Sequence, residues 1–159
     1  MFTIGDKVVY PMHGAGIIEG LEERIVLGEQ RSYYILRIPQ GDIKIMIPTD
    51  NTENIGVRSI ICQPELANVR ITLKGKSSEM AQIWNRRYRD NMEKLKTGNI
   101  EDVAEVVRDL MRVDNEKKLS TGEKKMLTNA KHILMSELIL VSDKCEEELN
   151  NLIEQLIME

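Results

Sequence analysis

The stretch NIGVRSIICQPEL, residues 54–66, decides how this chain of 159 residues folds. Before it, short segments rich in β-branched and aromatic residues alternate with turns that contain Gly, Pro or Asp, which is typical of strands. After it, apolar residues recur every three or four positions, which is typical of helices. Pro64 and the change of period predict a linker or a first short helix near this point. We therefore expect an α+β protein, with a sheet domain at residues 1–62 and a helical domain at residues 63–159.

The segment before this stretch predicts a small sheet. In GDIKIMIP, residues 41–48, Ile43, Ile45 and Ile47 alternate with Lys44 and Met46, so the isoleucines are expected on one face and the other two on the opposite face. Four or five strands of this kind within about sixty residues indicate a strongly bent sheet or an SH3-like barrel.

The segment after it predicts a compact all-α bundle of four or five helices. SSEMAQIWNRRYRDNMEKLKTGN, residues 77–99, predicts a helix that ends at Gly98. Asn99 is a candidate N-cap for the next helix, and Ser120 with Glu123 forms a capping box at the start of another. We expect a last helix at about residues 143–158.

The composition, 42% apolar and 30% charged, is that of a soluble globular protein. No apolar run long enough for a membrane span and no signal peptide is apparent, so we expect a cytoplasmic protein without a membrane partner. Cys62 and Cys145 have no metal-binding spacing and are interpreted as buried or incidental thiols. His13 and His132 lie in different predicted domains, and no catalytic motif occurs. We expect neither an enzyme, nor a metal site, nor a cofactor.

Charge is unevenly distributed along the chain, whose net charge is −4. Residues 1–60 carry a net charge of −2, residues 61–135 of +4 and residues 136–159 of −6. A polyanion partner is therefore expected at the middle segment, whereas the acidic end is typical of a solvated helix.

The middle segment contains IWNRRYRDN, residues 83–91, with the chain's one tryptophan. Periodicity alone favours Trp84 as the first residue of the apolar stripe, with Arg86 and Arg89 on the solvated face. The alternative is an apolar wedge between phosphate-binding arginines, as in proteins that distort duplex DNA. Because Trp and Arg are also frequent in protein interfaces, a protein–protein adaptor is a second alternative.

Four long stretches, in this order, resemble the CarD/CdnL family of bacterial transcription regulators: VVYPMHGAGIIEGLEERIVLGEQRSYYILRI, GDIKIMIP, WNRRYRDNMEKLKTGNIEDVAEVVRDL and LSTGEKKMLTNAKHILMSEL. The resemblance implies a Tudor-like domain that binds the β subunit of RNA polymerase, followed by a helical domain that contacts promoter DNA at the upstream edge of the bubble. It implies that Trp84 is a minor-groove wedge and that four basic residues contact DNA: Arg86, Arg89, Lys124 and Lys125.

On the sheet, the resemblance implies that Arg24 and Val26 contact the polymerase. Met46 departs from the pattern, because some relatives carry arginine at the corresponding position. A charged contact would there be replaced by a softer apolar one.

The resulting hypothesis is a transcription regulator that stabilises the promoter open complex, with little sequence preference in its DNA contacts. We expect a monomer that associates with the nucleoid through RNA polymerase. The sequence leaves open whether domains are exchanged into a dimer, which promoters respond, and whether the effect is activation or repression.

Overall fold

The sheet occupies the first third of the chain in a computed structural model that describes residues 1–158. Its five strands are β1 (Lys7–Tyr10), β2 (Gly14–Val26), β3 (Glu29–Ile38), β4 (Ile43–Pro48) and β5 (Arg58–Ser59). All neighbours are antiparallel, in the order β4-β3-β2-β1-β5. A single helical turn, α1 (Thr52–Ile55), precedes β5.

Alternation along the strands gives the sheet one buried face. Tyr34 and Leu36 of β3 are buried opposite Ile47 and Ile45 of β4, and Ile18 of β2 joins the same cluster. Ile43 was expected on this face and pairs with Ile38 there, but it is 41% exposed because it lies at the end of β4. The predicted alternation therefore holds, and the other face stays available for contacts.

A 3₁₀ turn (Gln63–Glu65) leads into five helices: α2 (Leu66–Lys74), α3 (Trp84–Lys96), α4 (Ile100–Glu116), α5 (Thr121–Ser142) and α6 (Glu146–Met158). The side chain of Asn99 accepts a hydrogen bond from the Glu101 amide at the start of α4, and Ser120 accepts one from the Glu123 amide at the start of α5. Both predicted N-caps are confirmed, but the capping box is incomplete, because the Glu123 carboxylate accepts from Arg87 and the Ser120 hydroxyl and not from the Ser120 amide. The helices bury one continuous aliphatic cluster, which also includes Ile61.

The helix predicted to begin near Ser77 begins instead at Trp84, so that prediction was wrong by about two turns. Ser77 and Ser78 are held by α4: the Ser78 amide donates to the Asp109 carboxylate at 3.2 Å, and Arg112 donates to Ser77 Oγ at 2.8 Å. Arg108 also donates to Ser78 Oγ. Ser77 and Ser78 are thus bound to α4 and lie outside α3.

The last helix begins three residues later than predicted, at Glu146. Asp143 has a φ of 59°, a left-handed conformation that ends α5. The following Lys144 and Cys145 form the connection, and the first helical bond joins the Leu149 amide to the Cys145 carbonyl. The architecture confirms the predicted α+β class, a Tudor-like antiparallel sheet followed by helices.

Sheet and helices approach each other closely at two glycines. Gly14 at the start of β2 has a φ of 123°, and a Cβ there would lie 2.8 Å from Ser136 Oγ of α5. A Cβ on Gly98 would lie 2.9 Å from the Pro11 ring. Beside Gly14, the Ala15 amide donates a buried hydrogen bond to Ser136 Oγ at 2.8 Å. At each glycine, the backbone of one part is therefore in direct contact with a side chain of the other, and there is no space for a Cβ.

Arg58 of β5 forms an ion pair across the same interface. Its Nη1 and Nη2 donate to the two carboxylate oxygens of Glu137 in α5, at 2.9 and 2.8 Å. Its Nε and Nη2 also donate to the Gly98 carbonyl, and the Glu137 carboxylate accepts a further bond from the Ile61 amide. The Glu137 side chain is 4% exposed. The division into domains at residue 62 stays a prediction, and the two parts are packed together.

Candidate functional site

The start of α3 presents an unusually exposed tryptophan. Trp84 is the first residue of the helix and is 55% exposed, although large aromatic side chains are normally well buried. Tyr88 and Met92, the next residues of its stripe, pack against the helical core, and Leu95 is buried. Burial of the stripe therefore increases along α3 from Trp84 to Leu95. The interpretation of Trp84 as a core residue, which periodicity alone favoured, was wrong, whereas Tyr88 anchors the helix to the core.

The neighbouring arginines differ in what they contact. Arg87 is 9% exposed, and its Nε and Nη2 donate to the Glu123 carboxylate at 2.6 and 2.7 Å. Arg86 and Arg89 are exposed, and neither side chain forms an ion pair or hydrogen bond with any residue of the described range 1–158. One arginine of the cluster is thus structural, and the two that were expected to bind phosphate are free to do so.

Glu123 connects α3 to the start of α5. It is 1% exposed, and the hydrogen bonds from Arg87 hold the pKa of its carboxyl below the ordinary value in spite of burial. Ser120 also donates to this carboxylate at 3.2 Å. The ionised pair Arg87–Glu123 therefore fixes the first turn of α5 against the first turn of α3.

Lys124 and Lys125 follow Glu123 directly and are exposed, so the ion pair brings their helix next to the one that carries Arg86 and Arg89. Both lysines line an open groove of about 540 Å³ together with Thr121 and Ile43. A second open groove of about 580 Å³ is lined by Trp84, Tyr88 and Arg89 of α3 and reaches Gly122 of α5. We call the exposed residues Trp84, Arg86, Arg89, Lys124 and Lys125 the basic face.

The start of α3 is itself suited to an anion. No side chain caps its first amides, and its first turn contains no acidic residue. Unpaired amides and the helix dipole give such an end a positive potential. This potential adds to the charges of Arg86 and Arg89.

The second expected site lies on the sheet. Arg24 and Val26 are in the ribbon of β2 and β3, opposite Arg31 and Glu29, and Met46 of β4 is opposite Ile35. The register places all three on the face away from Tyr34 and Leu36. Arg24 forms an exposed ion pair with Glu22 at 3.2 Å, and Met46 is half-buried. We call Arg24, Val26 and Met46 the outer sheet face.

This face is elongated. Met46 is level with Gly20 of β2 through Ile35, and Gly20 is four residues from Arg24. At about 3.3 Å per residue, Met46 and Arg24 are therefore roughly 13 Å apart along the strands.

Other predicted features can be compared with the structure. Cys62 and Cys145 were interpreted as buried or incidental thiols, and both are exposed, so burial is wrong for each. Within residues 1–158, no three side chains of the His, Cys, Asp or Glu type are grouped as metal ligands would be. No helix in the same range is both long and apolar enough to cross a bilayer. His132 is half-buried, and its Nε2 has no hydrogen-bond partner in the described part of the chain.

Sequence reasoning missed the residues that hold these surfaces in place, above all Arg87 and the pair Arg58–Glu137. The capping box identified Glu123 as the start of a helix, but no sequence signal named its partner. Arg58 and Glu137 are 79 positions apart, so spacing carries no information about their contact.

The chain thus combines a Tudor-like antiparallel sheet with a helical bundle that carries exposed basic residues. Comparison with known proteins identifies the class of protein with this combination. Residues 2–61 match the model of the CarD-like/TRCF RID domain, and residues 68–154 match that of the CarD C-terminal domain. The chain belongs to the CarD family, whose members are transcription regulators that interact with RNA polymerase.

Two similar proteins are as follows. YdeB of Bacillus subtilis (strain 168), named as a candidate transcription factor, is 42% identical over 151 residues, which cover 95% of this chain and 99% of YdeB. The solution NMR structure of the 72-residue N-terminal domain of Myxococcus xanthus CarD is 27% identical and aligns with a TM-score of 0.33, over 37% of this chain and 79% of that domain.

Proposed function

We propose that this protein stabilises the open complex between RNA polymerase and promoter DNA. The outer sheet face binds the β subunit, and the basic face contacts DNA at the upstream edge of the bubble, with Trp84 as an apolar wedge in the minor groove. The protein acts as a monomer, bound to the nucleoid through the polymerase. The observation that carries the proposal is the 55% exposure of Trp84 on the same helix as Arg86 and Arg89, which have no partner within residues 1–158.

Apolar wedges and basic clamps work together in proteins that deform duplexes. The wedge partly unstacks a base step, while Arg and Lys neutralise the flanking phosphates. The basic face offers both elements, on two helices that the Arg87–Glu123 pair joins. Because the protein contacts the backbone and a groove rather than base edges, it has little sequence preference.

Two weak contacts suffice for this role. The whole chain has a net charge of −4, so free DNA is bound poorly, but binding to the polymerase raises the effective concentration of the basic face near the promoter. A wedge that fits only the melted junction favours the open form over the closed one. A preference of about 1.4 kcal/mol changes their ratio tenfold.

The test is Trp84→Ala in a promoter complex with purified polymerase. We expect the lifetime of the open complex, measured by challenge with a competitor, to fall by about tenfold, while polymerase binding is unchanged. Ile71→Ala, which truncates another exposed apolar residue of the helical part, is the control and should leave the lifetime unchanged. An unchanged lifetime for a folded Trp84→Ala variant would exclude the wedge.

The salt dependence of binding affinity separates DNA binding from the adaptor alternative. Each phosphate contact contributes about −0.9 to the slope of log affinity against log salt concentration. Four contacts, from Arg86, Arg89, Lys124 and Lys125, predict a slope of roughly −3.6 for the DNA-dependent part of binding. A slope near zero would favour a protein partner for the basic face.

A further inference from the structure

Trp84 is not the only exposed apolar residue at the start of α3. Ile83, directly before it, is 68% exposed. In the helical part up to residue 158, the exposed large apolar side chains are Ile71, Ile83, Trp84 and Met158, so two of them are adjacent in sequence at the basic face. Adjacent exposed apolar residues beside unpaired cations mark a contact surface.

Ile83 also occupies a position that normally takes a different residue type. It is the N-cap of α3, with an extended backbone (φ −76°, ψ 121°) and no side-chain hydrogen bond to the helix. Ser, Thr, Asp and Asn are strongly preferred at an N-cap because their oxygen accepts from a free amide, and Ile is among the poorest choices. The next two helices follow the rule, with Asn99 and Ser120. Isoleucine at this position therefore lacks the stabilising effect of a side-chain cap and gains little from burial.

The position of Ile83 is nevertheless well fixed. Its carbonyl accepts a hydrogen bond from the Arg87 amide at 3.0 Å, and the Arg87 side chain is held by Glu123. The backbone of Ile83 is thus hydrogen-bonded to Arg87, the residue whose side chain joins α3 to α5 through the buried ion pair.

We propose that Ile83 is the second half of the wedge and packs with Trp84 against the apolar sugar and base edges of the DNA minor groove. Isoleucine is among the side chains that proteins insert between base steps. Two adjacent apolar residues cover more of an unstacked step than a tryptophan alone, and they leave the phosphates to Arg86 and Arg89. The inference rests on the proposed function and adds a residue to its DNA contact.

The experiment compares Ile83→Ala, Ile83→Ser and Ile71→Ala in the open-complex lifetime assay with Trp84→Ala alongside. Ile71 is a matched control because it is also 68% exposed and lies in α2. We expect Ile83→Ala to shorten the lifetime by roughly fourfold to fifteenfold, which corresponds to one or two methylene-sized groups lost from an apolar contact. Ile71→Ala should have no effect.

Ile83→Ser separates function from folding, because the two effects have opposite signs. Serine supplies the missing cap, so we expect a higher Tm together with a shorter open-complex lifetime. An unchanged lifetime for both Ile83 variants, with a shortened one for Trp84→Ala, would overturn the role of Ile83 and leave the proposed function standing. Unchanged lifetimes for Ile83 and Trp84 variants alike would overturn both. A lower Tm for Ile83→Ser would refute the argument from capping.

Discussion

Replacing Arg58 with alanine should destabilise the protein strongly, because it leaves the Glu137 carboxylate buried without its partner. Arg58 donates two hydrogen bonds to that carboxylate and two to the Gly98 carbonyl. After the substitution, Glu137 keeps the bond from the Ile61 amide alone, although its side chain is only 4% exposed. An orphaned buried charge is the costly result.

The magnitude follows from the burial of the two partners. Breaking a buried ion pair by removing one partner costs about 3–5 kcal/mol. The Arg58 side chain is 30% exposed, so water already screens part of the interaction, and the lower end applies. We expect a loss of about 3 kcal/mol in the free energy of unfolding, or about 1.5 M in the urea midpoint for a slope of about 2 kcal/mol per molar.

The assay is urea unfolding followed by circular dichroism at a wavelength that reports helix, since the exposed Trp84 is a poor probe of the core. The double variant Arg58→Met/Glu137→Leu is the informative partner, because an apolar pair of similar size removes the charge as well as its counterion. We expect it to recover most of the lost stability. A loss below about 1 kcal/mol for Arg58→Ala, or a double variant no more stable than the single one, would refute the reasoning.

Two further predictions concern the Arg87–Glu123 pair and the outer sheet face. Because the folded pKa of Glu123 lies below its ordinary value of 4.5, its ionised form contributes stability that is present above that value and lost as the pH falls through the folded pKa. The difference in unfolding free energy between the wild type and Glu123→Gln should therefore shrink between pH 7 and pH 3 in urea titrations, and a constant difference would argue against the linkage. Arg24→Glu should abolish capture by the isolated polymerase β lobe while leaving the Tm nearly unchanged, since the Arg24–Glu22 pair is exposed on both sides. Lys7→Glu, an equal charge change at an exposed residue of β1, serves as control, and undiminished capture by Arg24→Glu would remove Arg24 from the interface.

The sequence predicted the elements whose signals are local. Ser120 and Glu123 are three residues apart, and Ser120 caps the helix that it was expected to cap by accepting from the Glu123 amide. The alternation in residues 41–48 likewise predicted the faces of β4. Such features depend on neighbours within one turn or one strand pair, and these are visible in the sequence itself.

Features that depend on distant partners were not predictable. Ser77 and Ser78, which were expected in a helix, are instead bound by Asp109, Arg108 and Arg112, about thirty positions further along. Arg86 and Arg87 are neighbours of the same type, and only the location of Glu123 makes the second a buried structural residue. The exposure of Trp84 likewise depends on the position of the other helices, because Tyr88, Met92 and Leu95 of the same stripe contact the core and Trp84 lies outside it.

The close contact at Gly14 and Gly98 has a consequence for promoter geometry. Gly14 and Gly98 leave no space between the sheet and the helical part, and Arg58 binds Glu137 across the same interface. The distance between the outer sheet face and Trp84 is therefore set by packing rather than by a linker. Under the proposed function the protein then works as a ruler. Inserting one base pair between the DNA held by the polymerase and the upstream edge of the bubble shifts the edge by about 3.4 Å along the DNA axis. A rigid protein cannot follow that shift, whereas two domains joined by a flexible linker could.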